Sequence, residues 1–483
     1  MKSKKYIGVL ISCCLLLCSC DDWLGVKPYD KIGEDELLSS EDGFQKLLNG
    51  VYIELNNDKL YGSALSVEML EVMGGAYAIG TDNYVWGNYK DLSKYQYGTE
   101  YWRARLSETW NQAYALILNC NKILENIESR KSLFTGDNYN IIRGEAIALR
   151  AMLHFDMLRL FGPVYSRNSD KLSIPYYTAQ KNIPEDLLPA TEVAKKIITD
   201  LKEARILLSN DPVITEGTMM SGATDGVSNF LRYRALRLNY YAVTGLLARV
   251  CLYTGDREGA FTYSTDVIKA ANKGVFPFVD KSLVTGSPDD PDRIFSSEVI
   301  FALSHSSRNK LFKNYYDPSR LPNYVFRMDN NLMSNLIFGG GAATGGNQDD
   351  YRSRVNWVAT GANKYFYKYS DMVTTGKIEN TMIPLLRLGE MYLIAAESQS
   401  SNLSEGTSYV NTLRKNRGVT NISTLNRDIL QYEYIRELYG EGQLFFMYKR
   451  LFTSVLFTSN TSKNPEPSDE IFVVPLPDSE IEN

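Results

Sequence analysis

Apolar residues recur at spacings of three and four along stretch after stretch of this chain, so most of it can bury its hydrophobic surface only as helices packed side by side. Trp110, Tyr114, Ile117 and Leu124 share one face of a segment over about 105–129. A second helix is predicted over 139–161, where Gly162-Pro163 stops it. A third begins near Thr191, carries Ala194, Ile197, Ile198, Leu201 and Leu208, and ends before Asp211-Pro212. Segments 241–253 and 258–271 follow, separated by Thr254-Gly255-Asp256. Late in the chain, Leu388, Met391, Tyr392, Ala395 and Ala396 mark a helix starting near Pro384, and further helices fall near 407–417 and 428–439. Strand-like runs are shorter, at 298–303 and 471–474. The expected fold is therefore mainly α with a minor β component.

The pair around Gly255 has a local grammar: Ala248, Leu252-Tyr253, Gly255-Asp256 and Ala260 look like a tetratricopeptide-type hairpin, in which small residues let two helices approach and a glycine turns the chain. No clean 34-residue period runs through the sequence, so such pairs are degenerate and interrupted. The interruptions are long. Residues 56–104, 211–237, 273–297 and 304–383 are rich in Gly, Asn, Asp, Ser and Tyr, and loops of that length are expected to build a face on the helical scaffold.

Lys2, Lys4 and Lys5 precede an apolar run from Ile7 to Leu17, shorter than the roughly 20 residues a bilayer span needs. Leu17-Cys18-Ser19-Cys20 then resembles a bacterial lipobox with Cys20 as the acylated residue. The reading is a signal peptide over 1–19, a lipid-anchored tether over 20–40 and one helical domain with loop-rich insertions over 41–483. Acyl chains on Cys20 supply the two hydrophobic signals that stable anchoring requires. Taking the three lysines of residues 1–19 from the 52 basic residues leaves 49 against 57 acidic ones, a formal −8. That balance argues against nucleic acid as a partner. Cys120 and Cys251, the cysteines beyond Cys20, fall in apolar helical patterns and read as small core residues, with a disulfide as the alternative. The two histidines, His154 and His305, lack metal-ligand spacing, so no metal site is assigned.

Candidate chemistry is sparse. Glu433 and Glu437 lie one helical turn apart, with Cβ atoms about 5–6 Å apart, near the 5–5.5 Å carboxyl separation of a retaining glycosidase. Two acids on one helix point the same way and cannot flank a sugar from opposite faces, and Arg436 between them favours an ion-pair cluster. No catalytic residue is assigned. The glycine run 338–346 lacks the Gly-Lys-Ser/Thr ending of a phosphate loop and reads as a flexible surface loop. Pro288-Asp289-Asp290-Pro291-Asp292 reads as a solvated turn; structural calcium there is open, without an EF-hand loop, and no cofactor is expected.

The 33 tyrosines, 19 phenylalanines and five tryptophans are the compositional outlier. Tyr77, Asp82, Tyr84, Trp86, Tyr89, Tyr95 and Tyr97 crowd the stretch from Gly74 to Trp102, and Tyr315, Tyr316, Tyr324, Phe326 and Trp357 fall in later loops. Rigid aromatic faces beside polar groups suit a shallow site for a polar ligand with an apolar face. Asp82, Tyr84, Trp86 and Tyr316 are the nominated ligand residues.

A set of motifs then resembles one family nearly end to end. Behind Cys20, Asp21-Asp22-Trp23-Leu24 with Pro28, the helix with Trp110, Tyr114, Asn119 and Asn121, and Gly144-Glu145-Ala146, Leu149-Arg150-Ala151, Phe155 and Phe161-Gly162 are similar to those of SusD/RagB-type surface lipoproteins of Bacteroidetes nutrient uptake. Leu386-Arg387-Leu388-Gly389-Glu390-Met391-Tyr392-Leu393 with Ala395-Ala396-Glu397 is the strongest match. Asn411, Leu413-Arg414, Arg417-Gly418, Arg436-Glu437-Leu438, Glu441-Gly442 and the closing Val474-Pro475-Leu476-Pro477 with Glu480-Ile481 and Asn483 complete the order. The run Gln443–Arg450 departs from the family pattern. Arg387 and Glu390, three apart on the helix expected from Pro384, are read as a neighbouring pair that positions helices. The resemblance implies a non-catalytic lipoprotein on the extracellular side of the outer membrane, which captures glycan or another oligomeric nutrient and delivers it to a TonB-dependent, SusC-like transporter. Peptide capture in the RagB manner and a surface glycan hydrolase are the alternatives.

Overall fold

A computed structural model describes residues 34–79, 87–181, 183–224, 228–286, 290–321, 324–361, 363–374, 376–456 and 465–481. Ten α-helices of eight or more residues are numbered among them: α1 (Glu41–Glu54), α2 (Glu100–Ile127), α3 (Asn138–Phe161), α4 (Ala190–Leu207), α5 (Tyr240–Thr254), α6 (Arg257–Asn272), α7 (Leu388–Ser398), α8 (Leu403–Lys415), α9 (Arg427–Leu438) and α10 (Leu444–Leu451). From α1 to α8 each helix packs on the next in chain order, which is the array of helix pairs expected from the sequence. Three two-stranded antiparallel sheets supply the minor β part: β1 (Leu172–Ile174) with β2 (Leu188–Pro189), β3 (Val299–Ser304) with β6 (Met382–Arg387), and β4 (Trp357–Thr360) with β5 (Asn363–Phe366). One contiguous apolar core runs from Leu38 to Val474 and takes in Cys120 and Cys251, both free thiols.

The α5/α6 turn forms as its residues dictate. Gly255 ends α5 at φ +85°, where an L side chain is strained, and the Asp256 carboxylate caps α6 by accepting from Gly259 N–H at 2.8 Å. Helix α3 is buried on nearly every side, so its charges need partners. Arg150 meets Asp200 with two hydrogen bonds of 2.8 and 2.9 Å, and Glu145 accepts from Arg234 and Arg237. His154 accepts from Tyr177 N–H at Nε2, 3.1 Å, which leaves Nδ1–H to donate to the Arg150 carbonyl at 2.9 Å. Burial lowers its pKa to about 3, so it is a neutral core histidine.

Several expectations change. Pro384 lies in β6 opposite Ala302, and the extended Arg387 ends that strand before α7 begins. Arg387 and Glu390 therefore do not pair: Arg387 reaches Glu437 and Glu441 at 2.7 Å each, and Glu390 accepts from Arg249 at 2.6 and 2.7 Å. The strand expected at 471–474 is instead a helical turn, Asp469–Phe472. Much of the segment expected as a surface loop after residue 56 is core, because Leu60, Ala64, Val67, Met69 and Met73 have no exposed area.

The C-terminal motifs converge on a buried ion network. Arg352, Lys368, Arg387, Arg414, Arg417 and Arg436 face Glu298, Asp350, Glu433, Glu437 and Glu441, all of them buried. Arg414 and Arg436 also donate to the carbonyls of Gly345 and Thr344 at 2.7 Å, so the glycine run is strapped over the network, where a flexible surface loop was expected. Gly389 has a packing reason: a Cβ there would overlap the Glu437 carboxylate.

A candidate ligand-binding face

Of the nominated residues, Cys20, Asp82, Tyr84 and Trp86 lie outside the described residues. Tyr316 is described and is a core residue. It has no exposed area, its hydroxyl lies 2.5 Å from that of Tyr77, and its ring packs on Phe366 at 5.3 Å. The ligand role expected of Tyr316 is thus corrected to a packing role. The polar chain from Tyr77 turns its hydroxyl inward, where solvent cannot reach.

An aromatic platform nevertheless forms next to the stretch around Ala78. Ala78 N–H donates to the Arg327 carbonyl at 2.8 Å, which joins this stretch to the 309–327 segment. Phe326 is sandwiched between Tyr77 and Tyr315, with centroids 4.4 and 5.4 Å away and planes within 5° and 3° of parallel. Tyr89 stands edge-on to Phe326 at 5.1 Å and to Trp102 at 5.6 Å, and Tyr101 stands edge-on to Trp102 at 5.0 Å. Exposure rises outward across these rings. Trp102, Phe326 and Tyr77 are buried, Tyr89 and Tyr315 are half-buried, and Tyr101 is 44% exposed.

Glu68 organises the polar groups beneath them. Its carboxylate accepts from Tyr89 OH at 2.8 Å, from Arg105 Nη2 at 3.1 Å and from Ser63 Oγ, which itself lies 2.8 Å from Tyr315 OH. Arg105 Nη2 also donates to the Asp58 carbonyl at 2.8 Å. Burial opposes the charge on Arg105, but Glu68 and Asp58 outweigh it and raise its pKa. Burial first, and then Glu68, raise Tyr89 and Tyr101, so both phenols stay neutral hydrogen-bond donors. The rings are thus fixed from below by charge-assisted hydrogen bonds, while an exposed aromatic face and the rim acids Asp58 and Glu108 meet solvent. Such a surface can stack a polar ring and hydrogen-bond its hydroxyls.

Tyr77, Tyr89, Tyr315 and Phe326 belong to the loop aromatics expected from the sequence, whereas Tyr101, Glu68 and Arg105 do not. Tyr101 and Arg105 are one turn apart on α2, a signal the sequence did hold. Trp357 and Tyr97, which belong to the same expected loops, are buried.

The remaining chemical candidates are structural. Glu433 accepts from Arg352, Arg414 and Arg436, and Glu437 from Arg352, Arg387 and Arg417. Burial works against both carboxylates, but the arginines prevail and hold Glu433 at about 2 and Glu437 well below the usual range. Of the acidic stretch, Asp290 accepts from Thr374 at 2.6 Å, and buried Asp292 accepts from Ser296 N–H and Oγ at 2.7 Å each. No group of three or more His, Cys, Asp or Glu among the described residues is placed to hold a metal ion.

Comparison with known proteins fits this architecture. Residues 22–222 match a SusD-like family described as starch-binding and associating with the outer membrane, and residues 306–471 match the SusD family. No helix among the described residues is long and apolar enough to cross a membrane. The SusD-like protein P25 of Formosa agariphila is 24% identical over 214 residues, a match covering 42% of this chain and 37% of that protein. The chain thus matches little more than a third of that relative's length. A SusD superfamily protein from Bacteroides thetaiotaomicron VPI-5482 superposes with a TM-score of 0.70 at 21% identity, covering 92% of this chain and 98% of the other. A SusD-like carbohydrate binding protein from Bacteroides vulgatus ATCC 8482 gives 0.64 at 23% identity, covering 86% and 84%. Family matches on both halves, over the helix array and the C-terminal network just described, show that the chain belongs to the SusD/RagB family.

Proposed function

We propose that this protein is a non-catalytic surface lipoprotein that captures a glycan on the Tyr89–Tyr101–Tyr315 platform and passes it to a TonB-dependent, SusC-like transporter. The observation that carries the reading is the exposure of Tyr101 beside half-buried Tyr89 and Tyr315, over rings and a Glu68–Arg105 pair that hold them rigid. Rigidity before binding reduces the ordering cost that a shallow site would otherwise meet. The carbohydrate-binding neighbour from Bacteroides vulgatus and the starch-binding family description favour a sugar over a peptide. The acylated Cys20 would hold the protein on the outer face of the outer membrane, with 20–40 as tether and 41–483 as the binding domain. The non-catalytic reading is supported by Glu433 and Glu437, the carboxylates a hydrolase would have used, whose oxygens accept from arginines.

The test is calorimetric titration of maltohexaose, and of a peptide library in parallel, into the chain that begins after Cys20. Saturable maltohexaose binding is expected, weakened about 2- to 10-fold in Tyr101→Ala, which is what one stacking ring at about 0.5–1.5 kcal/mol supplies. Chromatography of the mixture should return intact hexaose. Shortened products, or peptide binding without glycan binding, would overturn the reading.

A further inference from the structure

We propose that the cleft between α1, the turn at 229–237 and the end of β3 is a second ligand site, which takes a carboxylate-bearing sugar ring such as a uronic acid. The cleft has a volume of about 420 Å³, and Asn49, Tyr52 and Asn56 from α1 and its end face Phe230, Arg232 and Arg237 across it. Leu236, Leu303, Ile378 and Ile53, the last 68% exposed, add apolar wall. Apolar and aromatic surface with a few fixed polar groups is the ordinary make-up of a small-ligand site.

The charge of the lining selects the ligand. No carboxylate lines the cleft among the described residues. Behind its wall, Glu145 accepts from Arg237 Nε at 2.8 Å and from Arg234 Nη1 at 2.9 Å, while Asp211 accepts from Arg234 at 3.0 and 2.5 Å. Two guanidiniums thus balance two carboxylates, and Arg232 is left over. It donates to the Ser221 carbonyl at 2.5 Å and hydroxyl at 3.0 Å and forms no ion pair among the described residues. One excess positive charge suits a single carboxylate better than a phosphate dianion.

Arg237 is held in place on the cleft wall. Its Nη1 donates to Asn49 Oδ1 at 2.7 Å, and its guanidinium lies 4.6 Å from the Tyr52 ring centroid and 5.0 Å from that of Phe230. The cleft is separate from the aromatic platform but near it. Asn56 lines the cleft, and Asp58, two residues on, offers its carbonyl to Arg105 under the platform.

The sugar identity rests on the glycan-capture reading above, whereas the anion preference rests on the cleft alone. The experiment is ligand-observed NMR with digalacturonate, galactobiose and inorganic sulfate on the chain that begins after Cys20, at low and physiological salt. Digalacturonate is expected to bind at least tenfold tighter than galactobiose, to weaken as salt rises, and to lose at least tenfold in Arg232→Gln. Ile53→Trp, which fills the mouth without touching a charge, should give the same loss with an unchanged melting temperature. Equal binding of the neutral disaccharide, displacement of digalacturonate by equimolar sulfate, or full affinity in both variants would overturn the proposal. Maltohexaose binding by the unaltered protein reports on the platform independently, so failure of one reading is distinguishable from failure of the other.

Discussion

Replacing Glu437 by glutamine tests whether the buried network holds the C-terminal half together. The carboxylate accepts from Arg387 Nη1 and Arg417 Nη2 at 2.7 Å on Oε1, and from Arg352 Nη1 and Arg417 Nε at 3.0 Å on Oε2. Glutamine keeps the volume and one acceptor oxygen, but its amide nitrogen then faces two guanidinium donors. Two charge-assisted hydrogen bonds at about 1.5–3 kcal/mol each are lost, or about 3–6 kcal/mol together. Breaking a buried ion pair from one side costs about 3–5 kcal/mol, so the two routes agree near 4 kcal/mol. The neighbouring Glu433, held at about 2 against the usual 4.5, corresponds to about 3 kcal/mol of preference for its ionised form, which is the same scale. The substitution also raises the network's imbalance: six cations faced five carboxylates, and now face four. With an unfolding entropy of about 2.1 cal/mol/K per residue over roughly 450 residues, 4 kcal/mol lowers the melting temperature by about 4 °C. Scanning calorimetry of Glu437→Gln beside Asp42→Asn is the assay. Asp42 pairs with Lys46 at 2.7 Å but is exposed, so its loss should cost within about 1 kcal/mol. Equal shifts in the two variants would refute the claim that burial, and not charge number, sets the cost.

Glu71 gives a pH dependence of opposite sign from the usual carboxylate. Burial, opposed by the N–H groups of Gly440 and Gly442 at 3.0 and 2.7 Å, pushes it up to about 8. The folded state keeps a proton that the unfolded state releases above about 4.5, so this group's contribution falls as pH rises from about 4.5 to 8, by an amount of the order of 4 kcal/mol. Urea unfolding of Glu71→Gln at pH 5 and pH 8 should show a smaller difference than the unaltered protein; an unchanged difference would assign the dependence elsewhere. Gly389→Ala is expected to destabilise by about 1–3 kcal/mol, because the new methyl overlaps the Glu437 carboxylate and must displace it from its arginines. The same calorimetry checks it, and combining Gly389→Ala with Glu437→Gln should cost less than the sum of the two, since they act on one contact.

What the sequence disclosed depended on how far its signals reach. Helix positions are local, so the stop at Gly162-Pro163 and the turn at Gly255 were readable, and the observed α3, α5 and α6 begin and end within a residue of the expected bounds. The junction at Arg387 was not, because β6 is buried along its whole length and its apolar run merges into the apolar face of α7 without a change of period. The ion network was legible only as local suspicion about Glu433 and Glu437. Its partners come from far away: Glu298 meets Arg417 across 119 positions. The platform lay between these cases. Tyrosine at 77 and tyrosine at 101 are one residue type with opposite fates, and abundance does not separate them. Helix α2 does. Its buried stripe runs through Trp102, Leu106, Thr109, Trp110, Ala113, Leu116, Ile117 and Cys120, at the spacing of one helical face. Tyr101 precedes Trp102 by one position and so lies about 100° around the helix from it, outside the stripe. An aromatic residue on the stripe is accounted for by packing, as Trp110 is. An aromatic off the stripe is left partly to solvent, and Tyr101 is the one that the proposed glycan platform uses.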